Sequence, residues 1–252
     1  MDSVALLGVA ATILGALIGS FINAASFRYN TGRSVATGRS RCMRCGHTLT
    51  ALDLVPLLSY AFLRGRCRYC SSRISLQYPL VEAAGALLGL LVYVLHPTPA
   101  AFAFWFLVWM VLLFITVYDL RHKIIPWGLS GALAVLGLAG IWLWGTPTWE
   151  SLVAGPALAA PLLFFSLVSR GAWMGWGDGA LELGLGWLLG LTMGFTAFLF
   201  AFWIGAIVGI GLLMFSQAVT MKSEVPFAPF LILGAAAAHF CNVDLFTYVS
   251  LF

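Results

Sequence analysis

Charge is what this chain has least of. Thirteen basic and nine acidic residues among 252 leave only 9% charged, against 62% hydrophobic. Soluble domains carry about 25% charged residues, so a core surrounded by water is excluded. The N-terminal apolar run lacks a basic leader and carries Asp2 instead, which excludes a cleavable signal peptide. A glycine-rich nucleotide loop is also missing. Gly184-x-Gly186 and Gly205-x-x-x-Gly209 lie within apolar runs, where small residues serve close helix packing. The net charge of +4 follows from a bias confined to loops and gives no case for a nucleic-acid partner.

What is present is membrane. A helix needs about 20 apolar residues to cross a bilayer. Runs at 4–26, 78–95, 101–118, 126–144, 150–169, 179–192, 194–217 and 227–251 predict an all-α integral membrane protein of about eight transmembrane helices. The 179–192 run has only 14 residues, a length shared by spans and core helices. Basic residues decide it. They fall at 28–73, at Arg121 with Lys123, at Arg170 and at Lys222. Eight spans with both termini outside put all of them in cytoplasmic loops, as the positive-inside bias requires. Merging 179–217 into one span would strand Lys222 outside. The expected organisation is a first helix at 1–26, a cytoplasmic Arg-rich four-Cys zinc loop at 27–77 and a seven-helix membrane domain at 78–252.

The 27–77 segment holds nine arginines and a single acid, Asp53. It is too small for a large core and needs a staple. Cys42/Cys45 and Cys67/Cys70 form two Cys-x-x-Cys pairs with 21 residues between them, a pattern of four-thiolate zinc sites. A reducing cytoplasmic face disfavours disulfides. Arg41, Arg44, Arg66 and Arg68 flank the pairs and would favour thiolates. The expected ion is structural, since no third ligand type offers an open position. His47 is expected to face solvent. Four unligated thiols, or one redox pair, are the competing readings.

Two acids sit at apolar boundaries, and ionisable groups there are functional candidates. Asp119 ends the charge-free run 101–118, and Asp178 closes Gly175-Trp176-Gly177-Asp178. Both fall at one membrane depth on one side. Two carboxylates sharing a site retain a proton and can hold a water between them. Each acid also has a plain structural reading. Asp119 could pair with Arg121, His122 or Lys123, and Asp178 could simply start a helix. Glu182, one turn beyond Asp178, is a rival partner. Glu82 is expected to meet loop arginines, and Cys241 to be a small buried residue. A transporter would place such acids near the midplane, whereas a zinc-loop scaffold would tolerate their loss.

Ordered segments then carry a resemblance. They are Gly19-Ser20-Phe21-Ile22-Asn23 with Arg28, Arg41 to His47, Pro56 to Ser59, and Leu63 to Cys70. Tyr78 to Glu82, Asp119 with Ile124-Ile125-Pro126, Gly175 to Asp178, and Lys222 with Pro226 to Phe230 complete the series. In this order they resemble the type IV prepilin peptidases. Two positions depart from that pattern: Gly179-Ala180 replaces the common Val-Lys, and Trp127 stands where an acid often follows Ile-Pro. The resemblance implies an aspartic endopeptidase of the bacterial inner membrane with Asp119 and Asp178 catalytic and Cys42, Cys45, Cys67 and Cys70 on zinc. Its substrates would be prepilins or pseudopilins, cut after a glycine at the cytoplasmic face. It also implies N-methylation of the new terminus from S-adenosylmethionine, whose binding residues the sequence does not indicate.

Overall fold

The computed structural model describes residues 3–32, 34–35, 37–215 and 225–249. Lys222 and the ends of the last two apolar runs, 216–217 and 250–251, lie outside the described residues. The described chain is helical throughout. In order it forms α1 (Ser3–Ser26), a 3-10 turn (Ala51–Leu54), α2 (Leu58–Phe62), α3 (Gln77–Leu95), α4 (Pro99–His122) and α5 (Trp127–Trp144). There follow α6 (Trp149–Val168), α7 (Trp176–Leu189), α8 (Leu191–Phe215), α9 (Ala228–Cys241) and α10 (Leu245–Val249). Six of these, α1, α3, α4, α5, α6 and α8, are long and apolar enough to cross a membrane. Helices α7 and α9 have 14 residues each.

The eighth expected span, 227–251, is broken. Asn242 takes a left-handed conformation (φ 50°) and ends α9, with the Val243 N–H bonding the Ala238 carbonyl. Asp244 then accepts the Phe246 N–H at 3.0 Å and the Thr192 hydroxyl at 2.6 Å, starting the short α10. Asparagine and aspartate compete locally for backbone donors and favour such breaks. Cys241, expected to be buried, is exposed at that helix end.

The chain divides into two compact units, Met1–Val117 and Tyr118–Phe252. In the first, α1 crosses α3 through glycine. A side-chain carbon at Gly15 would strike the carbonyl of Gly85, and one at Gly89 would strike that of Ala11. One at Gly19 would lie 2.7 Å from the Val81 carbonyl oxygen. The two Gly-x-x-x-Gly stretches therefore let the backbones touch, the usual way helices gain contact where lipid offers no hydrophobic drive. Beside the crossing, Ile22, Val81, Met110, Leu113 and Val117 form a buried cluster. Asn23 locks the register: it is fully buried, and its amide donates to the Tyr78 carbonyl at 3.1 Å.

The second unit builds on α7. Gly184 faces Leu133 and Ala134 of α5, and Gly186 faces Ala154 and Gly155 of α6. The Gly184-x-Gly186 motif thus has the packing role expected of it. Gly179 sits against Leu163, so close that a side chain could enter only if Leu163 moved. Glycine at this departure from the family pattern therefore lets α7 press onto α6.

Gly15→Leu is expected to lower detergent-solubilised stability by about 3 kcal/mol or more, since overpacking against backbone cannot relax. Gly211→Leu, where nothing lies within 4 Å, should be nearly neutral. Thermal unfolding of the two variants checks the contrast.

Candidate active site and metal centre

The four cysteines of the loop converge. Their sulfurs all lie within 4.8 Å of one another, with Cys42 Sγ 3.8 Å from Cys70 Sγ. A tetrahedral zinc with bonds of about 2.3 Å spaces its sulfurs by about 3.8 Å, so the thiols fit such an ion. Two matching knuckles build the cluster. In the first, Cys42 N–H donates to the His47 carbonyl and Gly46 N–H to the Cys42 carbonyl, both at 2.9 Å. In the second, Cys67 N–H donates to the Ser72 carbonyl and Ser71 N–H to the Cys67 carbonyl, also at 2.9 Å. Each knuckle needs a left-handed residue after its second cysteine. Gly46 (φ 71°) meets the need freely, and Ser71 (φ 57°) meets it at a cost.

Hydrogen bonds set the thiols at Cys42 and Cys70, with the Ser72 hydroxyl the largest influence lowering Cys70. The N–H groups of Cys45 and Arg44 point at the Cys42 sulfur and pull its thiol down to about 6. At Cys45 the His47 N–H acts in the same direction. There, desolvation and the neighbouring sulfurs of Cys42 and Cys70 outweigh it and lift the thiol to about 11. Anions crowded in this way are the setting a divalent cation relieves. The Ser72 hydroxyl lies 3.1 Å from Cys70 Sγ and 3.9 Å from Cys42 Sγ, supporting both knuckles. His47 is exposed as expected, but it also stacks on Tyr69 with centroids 3.6 Å apart. Asp53 ties the loop together. It accepts Arg68 Nε at 2.7 Å, the Tyr69 hydroxyl at 3.2 Å and the Thr50 N–H at 3.0 Å. Desolvation opposes its charge, yet these bonds prevail and hold its carboxyl down at about 2.

Glu82 does not meet the arginines. It is buried (7% exposed), and its Oε2 accepts the backbone N–H of Leu57 at 2.8 Å. Leu57 is itself left-handed (φ 62°) at the start of α2. An unpaired N–H beside a buried carboxylate is a better match than a distant guanidinium, because both groups lose water together.

Both candidate acids belong to the second unit. Asp119 lies in the last turn of α4, 4% exposed, and Asp178 in the first turn of α7, 7% exposed. They are near enough for the charge of Asp119 to act directly on Asp178. Asp178 Oδ2 also accepts the Gly175 N–H at 3.1 Å, so it is both a helix start and a partner of Asp119. Glu182 is buried too, at 2% exposed, but the acid whose charge reaches Asp178 is Asp119.

Asp119 sits at the negative end of the α4 dipole, a poor place for a carboxylate. The backbone N–H of Ala228, the first residue of α9, supplies the compensation. Pro229 in that first turn lacks an N–H and suits a helix start. This donor was missed in the sequence, although Pro226 to Phe230 was legible as a motif. The alternative pairing of Asp119 with His122 or Lys123 is not seen among the described residues. His122 Nδ1 lies 3.2 Å from the Tyr118 carbonyl and its ring packs on Tyr118, while Lys123 N–H closes the helix on the Asp119 carbonyl. Asp119 Oδ2 has no hydrogen-bond partner among the described residues. An orphan buried oxygen costs about 1–3 kcal/mol, which fits a position prepared for a water or a substrate.

A side chain at Gly177 would lie 2.8 Å from Ile125 Cβ, so this glycine admits the Ile124–Pro126 connection. Trp127, at the start of α5, is 64% exposed.

Comparison with known proteins identifies the family. Residues 13–96 match the bacterial peptidase A24 N-terminal domain, and residues 105–210 match the type IV leader peptidase family. A prepilin leader peptidase/N-methyltransferase of Aeromonas salmonicida (strain A449) is 37% identical over 211 residues, covering 81% of this chain and 70% of the relative. One from Burkholderia pseudomallei (strain K96243) is 34% identical over 269 residues, covering 94% and 86%. The chain belongs to the type IV leader peptidase family. A more distant member, from Bacillus subtilis (strain 168), is 28% identical over 94% of this chain and 95% of its own length. No solved structure matches. Membership makes this multi-pass membrane protein a peptidase, and the four-cysteine cluster is one that could hold a metal such as zinc.

Purified protein is expected to carry close to one zinc per chain by elemental analysis, and Cys67→Ser to lose it. Ser71→Gly should keep the metal and stabilise the loop by about 1 kcal/mol, the usual relief at a left-handed site, read from the midpoint of chelator-induced unfolding.

Proposed function

We propose that Asp119 and Asp178 are the catalytic pair of an aspartic endopeptidase that removes the leader of type IV prepilins or pseudopilins. The observation that carries this reading is the burial of both acids in one unit, near enough for the charge of Asp119 to act on Asp178, with one Asp119 oxygen lacking a partner among the described residues. One acid in its ionised form takes a proton from a water as that water attacks the peptide carbonyl. The other, still protonated, donates to the carbonyl oxygen. The Ala228 and Gly175 N–H groups hold the two carboxylates in orientation so that neither swings toward solvent.

The family supports the finer expectations. The protein lies in the bacterial inner membrane with its N-terminus outside, and it cuts after a glycine at the cytoplasmic face. The 27–77 loop is an accessory to the 78–252 peptidase region, and zinc on Cys42, Cys45, Cys67 and Cys70 supplies folding energy rather than chemistry. The curated relatives are also named N-methyltransferases, and N-methylation of the new terminus from S-adenosylmethionine is proposed with them. A loop cavity of about 410 Å³ is lined by Arg28, Arg39, Arg41, Ser34 and Thr37, and its arginines suit anions in general without singling out the methyl donor. No residue is therefore assigned to the methyl donor.

Asp119→Asn and Asp178→Asn are each expected to cut turnover of a synthetic prepilin at least about 10³-fold, with unchanged thermal stability and zinc content. Mass spectrometry of the product reads the cut site and any methyl group together. Near-normal cleavage by either variant would return the protein to a scaffold reading. Cleavage without transfer of a labelled methyl group would limit it to a peptidase.

A further inference from the structure

The 3-10 turn and α2 carry an apolar surface that their own unit leaves uncovered. Leu52 is 71% exposed, Leu54 39%, Val55 37%, Leu58 57% and Phe62 85%. Five large apolar residues within eleven positions of an otherwise polar loop exceed the scattered exposure normal for a surface.

The position of this surface identifies its occupant. The N-terminus of α2 is fastened to α3 by the Leu57 N–H and Glu82 bond of 2.8 Å. Glu82 lies five residues past Gln77, where α3 begins, so at about 1.5 Å per residue the bond sits about 7 Å along the helix from its entry end. That is the depth of the boundary between headgroups and acyl chains, reached by interfacial helices that bury about 5–10 Å. Leu76 and Leu80, at the start of α3, are exposed as well. Charge agrees as well. Nine arginines against one acid crowd the loop, and that acid, Asp53, is committed to Arg68. Such an excess suits the anionic headgroups of a cytoplasmic leaflet.

We infer that the turn and α2 form a foot inserted in the membrane interface, with Phe62 and Leu58 among the upper acyl carbons and the following Arg64 and Arg66 reaching to phosphates. The foot fixes the height of the metal loop above the bilayer. Its occupant is lipid, present whether or not a substrate is bound. This inference depends on the membrane reading of α1 and α3 and is independent of the assignment of Asp119 and Asp178.

A photoreactive benzoylphenylalanine at position 62, and separately at Met43 (80% exposed on the first cysteine knuckle), tests it in the full chain. The protein is reconstituted in vesicles of about 70% phosphatidylcholine and 30% phosphatidylglycerol, without substrate, and irradiated. The expected result is a lipid-mass adduct at 62 in at least about fivefold excess over position 43. Absence of a lipid adduct at 62 overturns the inference, as does an adduct at 62 that forms only with added prepilin peptide. Equal lipid labelling at both positions also overturns it, because the foot would then have no defined orientation. A lipid adduct at 62 in an Asp178→Asn background leaves the inference standing whatever becomes of the peptidase reading.

Discussion

The proposed chemistry needs two mutually repelling acids held together, away from water, with at least one proton between them. Both acids lie buried in the second unit, where a low effective dielectric sharpens repulsion between charges. Backbone donors at two helix starts offset part of that cost. Gly175 N–H reaches Asp178, and Ala228 N–H reaches Asp119. Neither donor is a charge that could neutralise the site, so proton sharing of the proposed kind is compatible with fixed orientation. The close contacts of α7 through Gly179, Gly184 and Gly186 serve the same end, because they seat the helix that carries one acid firmly on α5 and α6.

The first unit solves a different problem by a related device. Glycine again brings backbone to backbone, here between α1 and α3, and polar groups again set the register. Asn23 bonds the Tyr78 carbonyl, and Glu82 bonds the Leu57 N–H. Both residues belong to segments that looked like family signatures in the sequence. Their contacts show those segments to be structural fasteners at the junction between loop and membrane, separate from the acids that would do chemistry.

Much of this was legible beforehand. Apolar run length gave seven of the eight expected helices close to their observed bounds, and cysteine spacing gave the four-thiol cluster that could hold a metal. Most of what differs from the sequence reading shares one cause. Partners contributed by the backbone carry no sequence signal of their own. Glu82 has the N–H of Leu57 as its partner in place of an arginine, the Cys42 thiol is lowered by amides, and the Ala228 donor to Asp119 has no mark in the sequence. The eighth run failed for another reason. Average hydropathy over 227–251 hides the local effect of Asn242 and Asp244, which turn the chain and cap a new helix.

The bond between Leu57 and Glu82 ties the fold of the loop to the packing of a long helix. Leu57 lies between the two cysteine pairs in sequence and is left-handed (φ 62°), while Glu82 is buried in α3. A change that displaces Leu57 leaves a buried carboxyl without its donor, so damage to the loop is felt inside the helix pair.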